Sequence, residues 1–183
     1  LAGVVDGPSR ARLAQWMATG VIRSCHPLDV FVACDSDDVA DWAAEHGAAV
    51  IWGPGLGLNG AIDDGVAAIA DAGYDQVIIS HADLPHPTTL PTVARAGTVT
   101  LVPDRRRDGT NVLSFPLTDA IVASYGPGSF NRHFAAAQTL GIAVEVRTDH
   151  DLSLDVDTPG DLAHPRIKEA LPIWLRTNPV NPT

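Results

Sequence analysis

Aspartates follow two short apolar segments of this chain in a pattern that suits a divalent cation. Asp83 comes just after the apolar run Gln76–Ser80. Asp155 and Asp157 alternate along a segment that reads as extended, so both carboxylates point to one side of it. A turn or a helix cap would explain either cluster taken alone. Two clusters at strand ends favour a shared metal site, because hard carboxylate oxygens are the ligands that Mg²⁺ prefers.

Two glycine-rich segments, Gly53–Gly60 and Gly126–His133, each lead into a helical pattern. Ser129 is placed to cap the second helix, and the backbone N–H groups of Gly128–Phe130 are expected to bind an anion such as a phosphate. The first segment suits an anion or the edge of a nucleotide base. Neither has the spacing of a P-loop or a Rossmann fingerprint, so an ordinary turn before a helix stays an equal alternative.

A charged segment, Pro103–Asn111, concentrates three arginines in an otherwise acidic chain. A solvated loop is the ordinary explanation of such a run, although its Asp-Gly-Thr sequence predicts a tight turn that presents Thr110. The seven histidines show no metal-ligand spacing, and no Ser/His/Asp order or Cys/His pair stands out. The sequence therefore gives little support to covalent catalysis.

Short apolar runs alternate with helical patterns in the first half of the chain and predict a parallel sheet wound with helices. Strands are expected at 30–34, 48–52 and 76–80, and helices at 36–45 and 59–72. The strands lack polar alternation, which is typical of a sheet covered on both faces. Ligands of such folds bind at the carboxyl ends of the strands, where Asp83 is expected to lie.

The second half of the chain is less regular but continues the same pattern. Strands are expected at 98–102, 111–115 and 143–147, and helices at 119–125 and 129–140. Neither a repeat nor a linker interrupts the chain, which predicts one domain over residues 1–183 with an extended proline-rich tail at 172–183. The expected fold class is α/β, a three-layer α-β-α arrangement around a mostly parallel sheet.

Composition excludes several classes of protein. The net charge is -10, from 12 Lys plus Arg against 22 Asp plus Glu, so a general attraction for nucleic acid is not expected. No apolar run approaches the roughly 20 residues of a membrane span, and no signal peptide is visible. The two cysteines, Cys25 and Cys34, lack metal-ligand spacing and read as reduced thiols, which favours a cytoplasmic protein.

Five motifs together resemble those of one enzyme family, the 2-phospho-L-lactate / phosphoenolpyruvate guanylyltransferases of deazaflavin coenzyme biosynthesis. The motifs are SHADLP, GLGLN, PDRRRDGTNVL, YGPGSFNRH and LDVDTPGDL, and the resemblance covers residues 1–162. It implies a nucleotide-diphospho-sugar transferase-like fold, similar to that of the molybdenum-cofactor guanylyltransferases. It also implies transfer of GMP from GTP to a small phosphorylated carboxylic acid, with release of pyrophosphate.

The same resemblance implies roles for particular residues. Asp83 and Asp155 match the family's catalytic carboxylates, which bind Mg²⁺, and Asp157 would be a further neighbour of the metal. The other implied site residues are Thr110, Gly126 and Ser129, which would hold the phosphorylated acid, and Gly57, Leu58 and Asn59, which would lie near the guanosine. The attacking phosphate oxygen is already anionic near pH 7, so no general base is required. Positioning and charge neutralisation are then the main tasks expected of this site.

Other acceptors and another class of protein stay open from the sequence. A related nucleotidyltransferase could use 3-phosphoglycerate or the molybdenum cofactor, and a non-catalytic nucleotide-binding protein is the alternative from a different class. The arginine-rich segment resembles actinobacterial members of the family and favours phosphoenolpyruvate over 2-phospho-L-lactate. The oligomeric state is open, with a homodimer among the alternatives, and neither a nucleic acid nor a membrane is expected as a partner.

The resemblance also predicts a strand before the first residue of the chain. Members of the family begin with a strand and a basic loop that ends in a Lys-x-Arg-Leu-like stretch, and Leu1-Ala2 matches the residues just after that arginine. Without this strand the expected sheet would have an uncovered edge near Val30–Cys34. The expectation is that the first strand is missing from the chain as given, together with cations that would lie under a triphosphate.

Overall fold

The computed structural model describes residues 1–176 and contains two β-sheets flanked by helices. The strands are β1 (Phe31–Cys34), β2 (Ala49–Trp52), β3 (Gln76–Ser80), β4 (Thr98–Pro103), β5 (Thr110–Pro116) and β6 (Ala143–Val146). β1 and β2 pair in parallel, and the other strands form a sheet in the order β3-β5-β4-β6. β5 runs antiparallel to both neighbours and β6 is parallel to β4, so only β5 is reversed in this larger sheet.

The helices lie before, between and after these strands. They are α1 (Gly7–Ser24), α2 (Asp37–Glu45), α3 (Gly57–Asp71), α4 (Ser129–Thr139), α5 (Pro159–Leu162), α6 (Pro165–Ala170) and α7 (Ile173–Arg176), with short 3-10 helices at Leu90–Thr92 and Leu117–Asp119. No helix within residues 1–176 is both long and apolar enough to cross a membrane.

Helices pack on both faces of the larger sheet, which confirms the three-layer arrangement. Successive side chains of a strand point to opposite faces. Leu113 of β5 packs with Val66 of α3 and Phe130 of α4, whereas its neighbour Val112 packs in a cluster that includes Val21 of α1. Leu113 and Val112 are both fully buried, and burying each such side chain stabilises the fold by about 1.5–3 kcal/mol.

The two sheets differ in how well they are covered. Every residue of β5 is buried, as expected for a strand without polar alternation. In β2, by contrast, Val50 is 36% exposed and Trp52 is 47% exposed. The expectation of burial on both faces is therefore wrong for this strand, because β1 and β2 form a small separate sheet outside the main core.

The predicted helix at 119–125 is absent: a 3-10 helix ends at Asp119 and an irregular segment follows. Side chains from α3 and α4 bind three consecutive backbone N–H groups of this segment. The acceptors of those bonds are Asp63 Oδ1 for Ala123 at 2.7 Å, His133 Nε2 for Ser124 at 3.0 Å and Asn59 Oδ1 for Tyr125 at 2.7 Å. These N–H groups are then not available for helical hydrogen bonds, and tertiary contacts override the local helical pattern.

Both ends of the described chain are helical, which was not expected from the sequence. α1 is capped by Asp6, whose carboxylate accepts a hydrogen bond from the Ser9 N–H at 2.8 Å. At the other end, the expected extended tail is wrong for Ile173–Arg176, which forms α7. Residues 177–183 of that tail lie outside the described residues.

Candidate active site

The fold brings together the three aspartates that were predicted to bind a metal. Asp83 follows β3, whose pairing with β5 extends by one step because the His81 N–H donates to the Asn111 carbonyl at 3.1 Å. Asp155 and Asp157 lie in the segment before α5. Asp157 lies close enough to Asp83 for its negative charge to raise the pKa of Asp83. Two acidic segments that are far apart in sequence thus form one cluster.

Burial and mutual repulsion oppose ionisation of this aspartate cluster. Burial raises the pKa of Asp155 to about 6, and the negative charges of Asp157 and Asp83 contribute to this rise. Burial also raises the pKa of Asp83, an effect that His81 opposes and that the negative charge of Asp157 increases. Carboxylates held together against their repulsion are typical of sites at which a cation neutralises them.

The cluster suits Mg²⁺ better than a metal that needs a cage of protein ligands. Asp83 Oδ1 and His81 Nε2 are buried and have no hydrogen-bond partner among the described residues. No group of three or more His, Cys, Asp or Glu side chains within residues 1–176 is arranged to hold a metal ion. Mg²⁺ is commonly held by one or two carboxylates together with water and substrate phosphates, so the residues fit this ion.

Asp161 fixes the segment that carries Asp155 and Asp157. Its Oδ2 accepts hydrogen bonds from the Thr158 N–H at 2.6 Å, the Thr158 hydroxyl at 2.8 Å and the Asp157 N–H at 3.2 Å. This is a capping box at the start of α5. Asp161 Oδ1 pairs with the guanidinium of Arg105, and the residue is only 2% exposed. The acidic segment is therefore tied to the arginine-rich loop between β4 and β5.

Thr110 and Ser129, which were predicted to hold the phosphorylated acid, meet where β5 and α4 begin. The Thr110 N–H donates to Ser129 Oγ at 3.0 Å. The two residues are 1% and 2% exposed. The N-cap of α4 is Gly128, with a left-handed φ of 74°, so the expectation that Ser129 caps this helix is wrong. The Ser129 hydroxyl accepts a hydrogen bond from β5 instead.

The backbone N–H groups at the start of α4 are already satisfied within the chain. The Gly128 N–H donates to Asp108 Oδ2 at 3.1 Å, and the Phe130 N–H donates to the Asp108 carbonyl at 3.0 Å. The Ser129 N–H donates to the Gly126 carbonyl at 3.0 Å. The expectation that these amides bind an anion is therefore wrong for this conformation, and side-chain hydroxyls are the better candidates.

Arg132 holds the loop that contains Gly126. Its guanidinium donates to the Ser124 carbonyl at 2.7 Å and to the Pro127 carbonyl at 2.6 Å. Gly126 itself has a φ of 113°, a conformation that favours glycine. Arg132 therefore supports the shape of this loop, and the loop in turn places Gly126 beside the first turn of α4.

The three residues predicted near the guanosine lie in the first turn of α3. Gly57 begins the helix and Leu58 is 60% exposed. Asn59 binds the backbone of Tyr125: its Oδ1 accepts from the Tyr125 N–H at 2.7 Å, and its Nδ2 donates to the Tyr125 carbonyl at 3.4 Å. Asn59 thus links the start of α3 to the segment that precedes α4.

The ring of Tyr125 lies between the rings of His81 and His133. Its centroid is 5.4 Å from that of His81 and 4.7 Å from that of His133. Tyr125 is 7% exposed, and its hydroxyl oxygen is buried without a hydrogen-bond partner among the described residues. One aromatic ring therefore lies between His81, which neighbours Asp83, and His133, which contacts Thr110.

Sequence reasoning missed Asp161, which shapes the site, and expected His133 only as a neighbour of a bound phosphate. Asp161 follows Thr158 at the spacing of a capping box, which is a signal that could have found it. His133 is fully buried and its Nδ1 lies 3.0 Å from Thr110 Oγ1. Its position one helical turn after Ser129 places both residues on one face of α4, which is the weaker signal that was available.

Comparison with solved structures identifies the class of this fold. A nucleotidyl transferase from Methanothermobacter matches 90% of this chain with 82% of its own, at a TM-score of 0.62 and 18% identity. The fold is therefore that of a nucleotidyltransferase. A family model described as guanylyl transferase CofC like matches residues 1–167, and the chain belongs to this family.

Three relatives carry the name phosphoenolpyruvate guanylyltransferase. The protein from Conexibacter woesei is 35% identical, with 98% of this chain and 91% of the relative covered. Those from Rubrobacter xylanophilus and Sphaerobacter thermophilus are each 33% identical, covering 89% and 77% of this chain and 84% and 71% of the relatives. The family and its named members show that the chain is a nucleotidyltransferase of the guanylyltransferase type, which uses GTP.

Proposed function

We propose that this guanylyltransferase transfers GMP from GTP to phosphoenolpyruvate and releases pyrophosphate, as a step of deazaflavin coenzyme biosynthesis. The observation that carries the proposal is the pair of buried hydroxyl groups on Thr110 and Ser129, one tyrosine ring away from the aspartate cluster. The names of the relatives support phosphoenolpyruvate as the acceptor. The acceptor 2-phospho-L-lactate, which carries the same two anionic groups, is the nearest alternative.

In the proposed reaction, an oxygen of the acceptor's phosphate attacks the α-phosphorus of GTP. A new P–O bond forms, the bond from that phosphorus to the β-bridging oxygen breaks, and pyrophosphate leaves with the electron pair. The attacking oxygen is anionic near pH 7, so the chain's main task is to orient it. The hydroxyl groups of Thr110 and Ser129 would donate hydrogen bonds to the acceptor, and Gly126 would lie beside them.

Asp83 and Asp155 would hold Mg²⁺ at the proposed site, with Asp157 as a neighbour that orients Asp155 or binds the ion through water. The ion would supply neutralisation of the charge on the triphosphate and on the departing pyrophosphate. The raised pKa values of Asp83 and Asp155 support this role, because burial and repulsion leave both carboxylates in need of a positive partner. The first turn of α3, with Gly57, Leu58 and Asn59, is the proposed contact of the guanosine.

Pyrophosphate release tests the proposal. The purified chain is given GTP and Mg²⁺ with phosphoenolpyruvate, 2-phospho-L-lactate or 3-phosphoglycerate in turn, and kcat/KM is compared. The expected result is release with phosphoenolpyruvate, dependence on Mg²⁺ and little release with ATP. Turnover of 2-phospho-L-lactate at an equal or higher kcat/KM would show that the acceptor is wrong, and GTP binding without turnover of any acid would favour a nucleotide-binding protein.

A further inference from the structure

His133 is a buried histidine whose two ring nitrogens both have partners. Nε2 lies 3.0 Å from the Ser124 backbone nitrogen, and Nδ1 lies 3.0 Å from Thr110 Oγ1. A backbone N–H can only donate, so Nε2 must be the nitrogen without a proton. In the neutral ring the proton then lies on Nδ1, and Nδ1 donates to the oxygen of Thr110.

The surroundings of His133 keep its ring neutral. Burial, together with the nearby Arg132 and His81, lowers the pKa of His133 to about 4. The ring also packs at 4.7 Å against the ring of Tyr125. A protonated ring would turn a second N–H toward the N–H of Ser124, so the neutral form with its proton on Nδ1 is the one that matches the contacts.

This tautomer determines what the Thr110 hydroxyl can do. Its oxygen accepts from His133 Nδ1, so its hydrogen is directed away from the histidine. The Ser129 hydroxyl is used in the same way, since its oxygen accepts from the Thr110 N–H at 3.0 Å. Two buried hydroxyl groups are thus both set to donate, which suits a ligand that is an anion.

We infer that His133 is a positioning residue that holds the Thr110 hydroxyl as a hydrogen-bond donor toward the phosphate of the acceptor. The inference rests on the proposed function in one respect, the identity of the ligand as a phosphorylated acid. The tautomer of His133 and its contact with Thr110 belong to the chain itself. They are therefore tested separately from turnover.

The first experiment reads the tautomer directly in the full chain. Two-bond ¹H–¹⁵N spectra of ¹⁵N-histidine-labelled protein are recorded from pH 8 to about pH 5, a range that spans the usual histidine pKa of about 6.5. The rings of His81 and His133 both lie near Tyr125, so the His133 signals are assigned as those that are absent from the spectrum of His133→Phe. The expected result is a neutral ring protonated on Nδ1 throughout. A ring protonated on Nε2, or one that becomes charged within this range, would overturn the inference.

The second experiment is a double-mutant cycle of His133→Phe and Thr110→Val. In the otherwise native chain His133→Phe is expected to raise KM for phosphoenolpyruvate about tenfold, because an oriented hydrogen bond to a charged group is lost, while KM for GTP stays within about twofold. In the Thr110→Val background the same change should have almost no further effect. An equal loss in both backgrounds would mean that His133 acts only through packing.

Two controls keep these outcomes distinct. Thr110→Ser retains the hydroxyl, so His133→Phe should still raise KM in that background, and thermal unfolding reports whether each variant is folded. If the wild-type chain turns over none of the acids, the proposed function fails, and the NMR spectra alone still decide the role of His133 toward Thr110.

Discussion

Asp155 shows how a residue of the site can act against the stability of the fold. Burial raises its pKa to about 6, and the charges of Asp157 and Asp83 contribute to the rise. At neutral pH its carboxylate is therefore ionised in surroundings that disfavour the charge, which opposes folding. A perturbed carboxylate in such a place is typical of an active site.

The change Asp155→Asn is therefore expected to separate activity from stability. Loss of the charge should lower kcat by about 100-fold or more, because one of the oxygen ligands proposed for Mg²⁺ becomes a weaker amide ligand. The midpoint of thermal unfolding without Mg²⁺ should stay equal or rise at neutral pH, because repulsion with Asp83 and Asp157 is relieved. Pyrophosphate release and thermal unfolding, measured on the same preparation, check both parts.

Asp71→Asn serves as the matched control, because Asp71 is an exposed aspartate at the end of α3. It should change neither activity nor the unfolding midpoint. Retention of wild-type kcat in Asp155→Asn would contradict the role given to this carboxylate. A large fall in its unfolding midpoint would instead show that Asp155 has stabilising contacts.

The residues of the site differ in how far the sequence reveals them. The proximity of Asp83 and Asp155 could be predicted because each follows a recognisable segment, whereas their binding of Mg²⁺ stays a prediction. His133 was expected near the phosphate, but its contacts could not be predicted, since its partners Thr110 and Ser124 are brought to it by a strand and by an irregular loop. A residue that acts through tertiary contacts of this kind carries only a weak signal in sequence spacing.

Among the elements, the turn after β6 is held together by a single carboxylate. Asp149 Oδ1 accepts from the N–H groups of Asp151 and Leu152, each at 3.0 Å. Its Oδ2 accepts from the Thr89 hydroxyl at 3.0 Å and from Arg147 at 2.7 Å. Burial alone would raise the pKa of Asp149, but these hydrogen bonds outweigh it and lower the pKa. The carboxylate therefore joins three segments of the chain in its ionised form.

Asp149→Ala is expected to lower the free energy of unfolding by about 1–3 kcal/mol, because several partly buried donors lose their acceptor at once. Asp151→Ala is the matched control. Its ion pair with Arg166 is partly exposed, so the cost should be about 0–1 kcal/mol. Urea unfolding of the three proteins at neutral pH measures the difference, and equal stabilities of the two variants would contradict the role of Asp149.

The lowered pKa of Asp149 also predicts a dependence on pH. A carboxyl group with a lowered folded-state pKa contributes its full stability above the unfolded-state value of about 3.9, and this contribution is lost as pH falls through the folded-state pKa. Between about pH 5 and pH 3 the wild-type chain should therefore lose stability faster than Asp149→Ala. Parallel loss in both proteins would show that this carboxylate does not contribute to acid unfolding.

Elements with strong local patterns were predictable, and those set by tertiary contacts were not. The strand at 76–80 agrees with β3, because its apolar run matches a buried strand. The helix expected at 119–125 is wrong, because side chains of α3 and α4 bind the amides of that segment. α1 was missed although Asp6 and Ser9 form a capping pair that the sequence displays.

At the scale of the whole molecule, the chain combines a well-covered sheet with a poorly covered one. The larger sheet has helices packed on both faces, whereas β1 and β2 are two strands with partly exposed side chains. The buried residues of the small sheet's own cluster are only Ile22, Ala43 and Ala48 within the described part of the chain. A two-stranded sheet is marginally stable unless other elements pack against it.

This contrast predicts that the two sheets open with different free energies. Amide hydrogens of β1 and β2 should exchange with solvent about 100-fold faster than those of β4 and β5, because small units with little buried surface open without global unfolding. Hydrogen exchange followed by mass spectrometry on the native chain measures the protection of each strand. In low concentrations of urea, exchange in β4 and β5 should accelerate steeply, since it requires exposure of the main core, and exchange in β1 and β2 should accelerate only slightly. Equal protection and equal urea dependence in both sheets would show that the molecule unfolds as a single cooperative unit, contrary to what the difference in burial predicts.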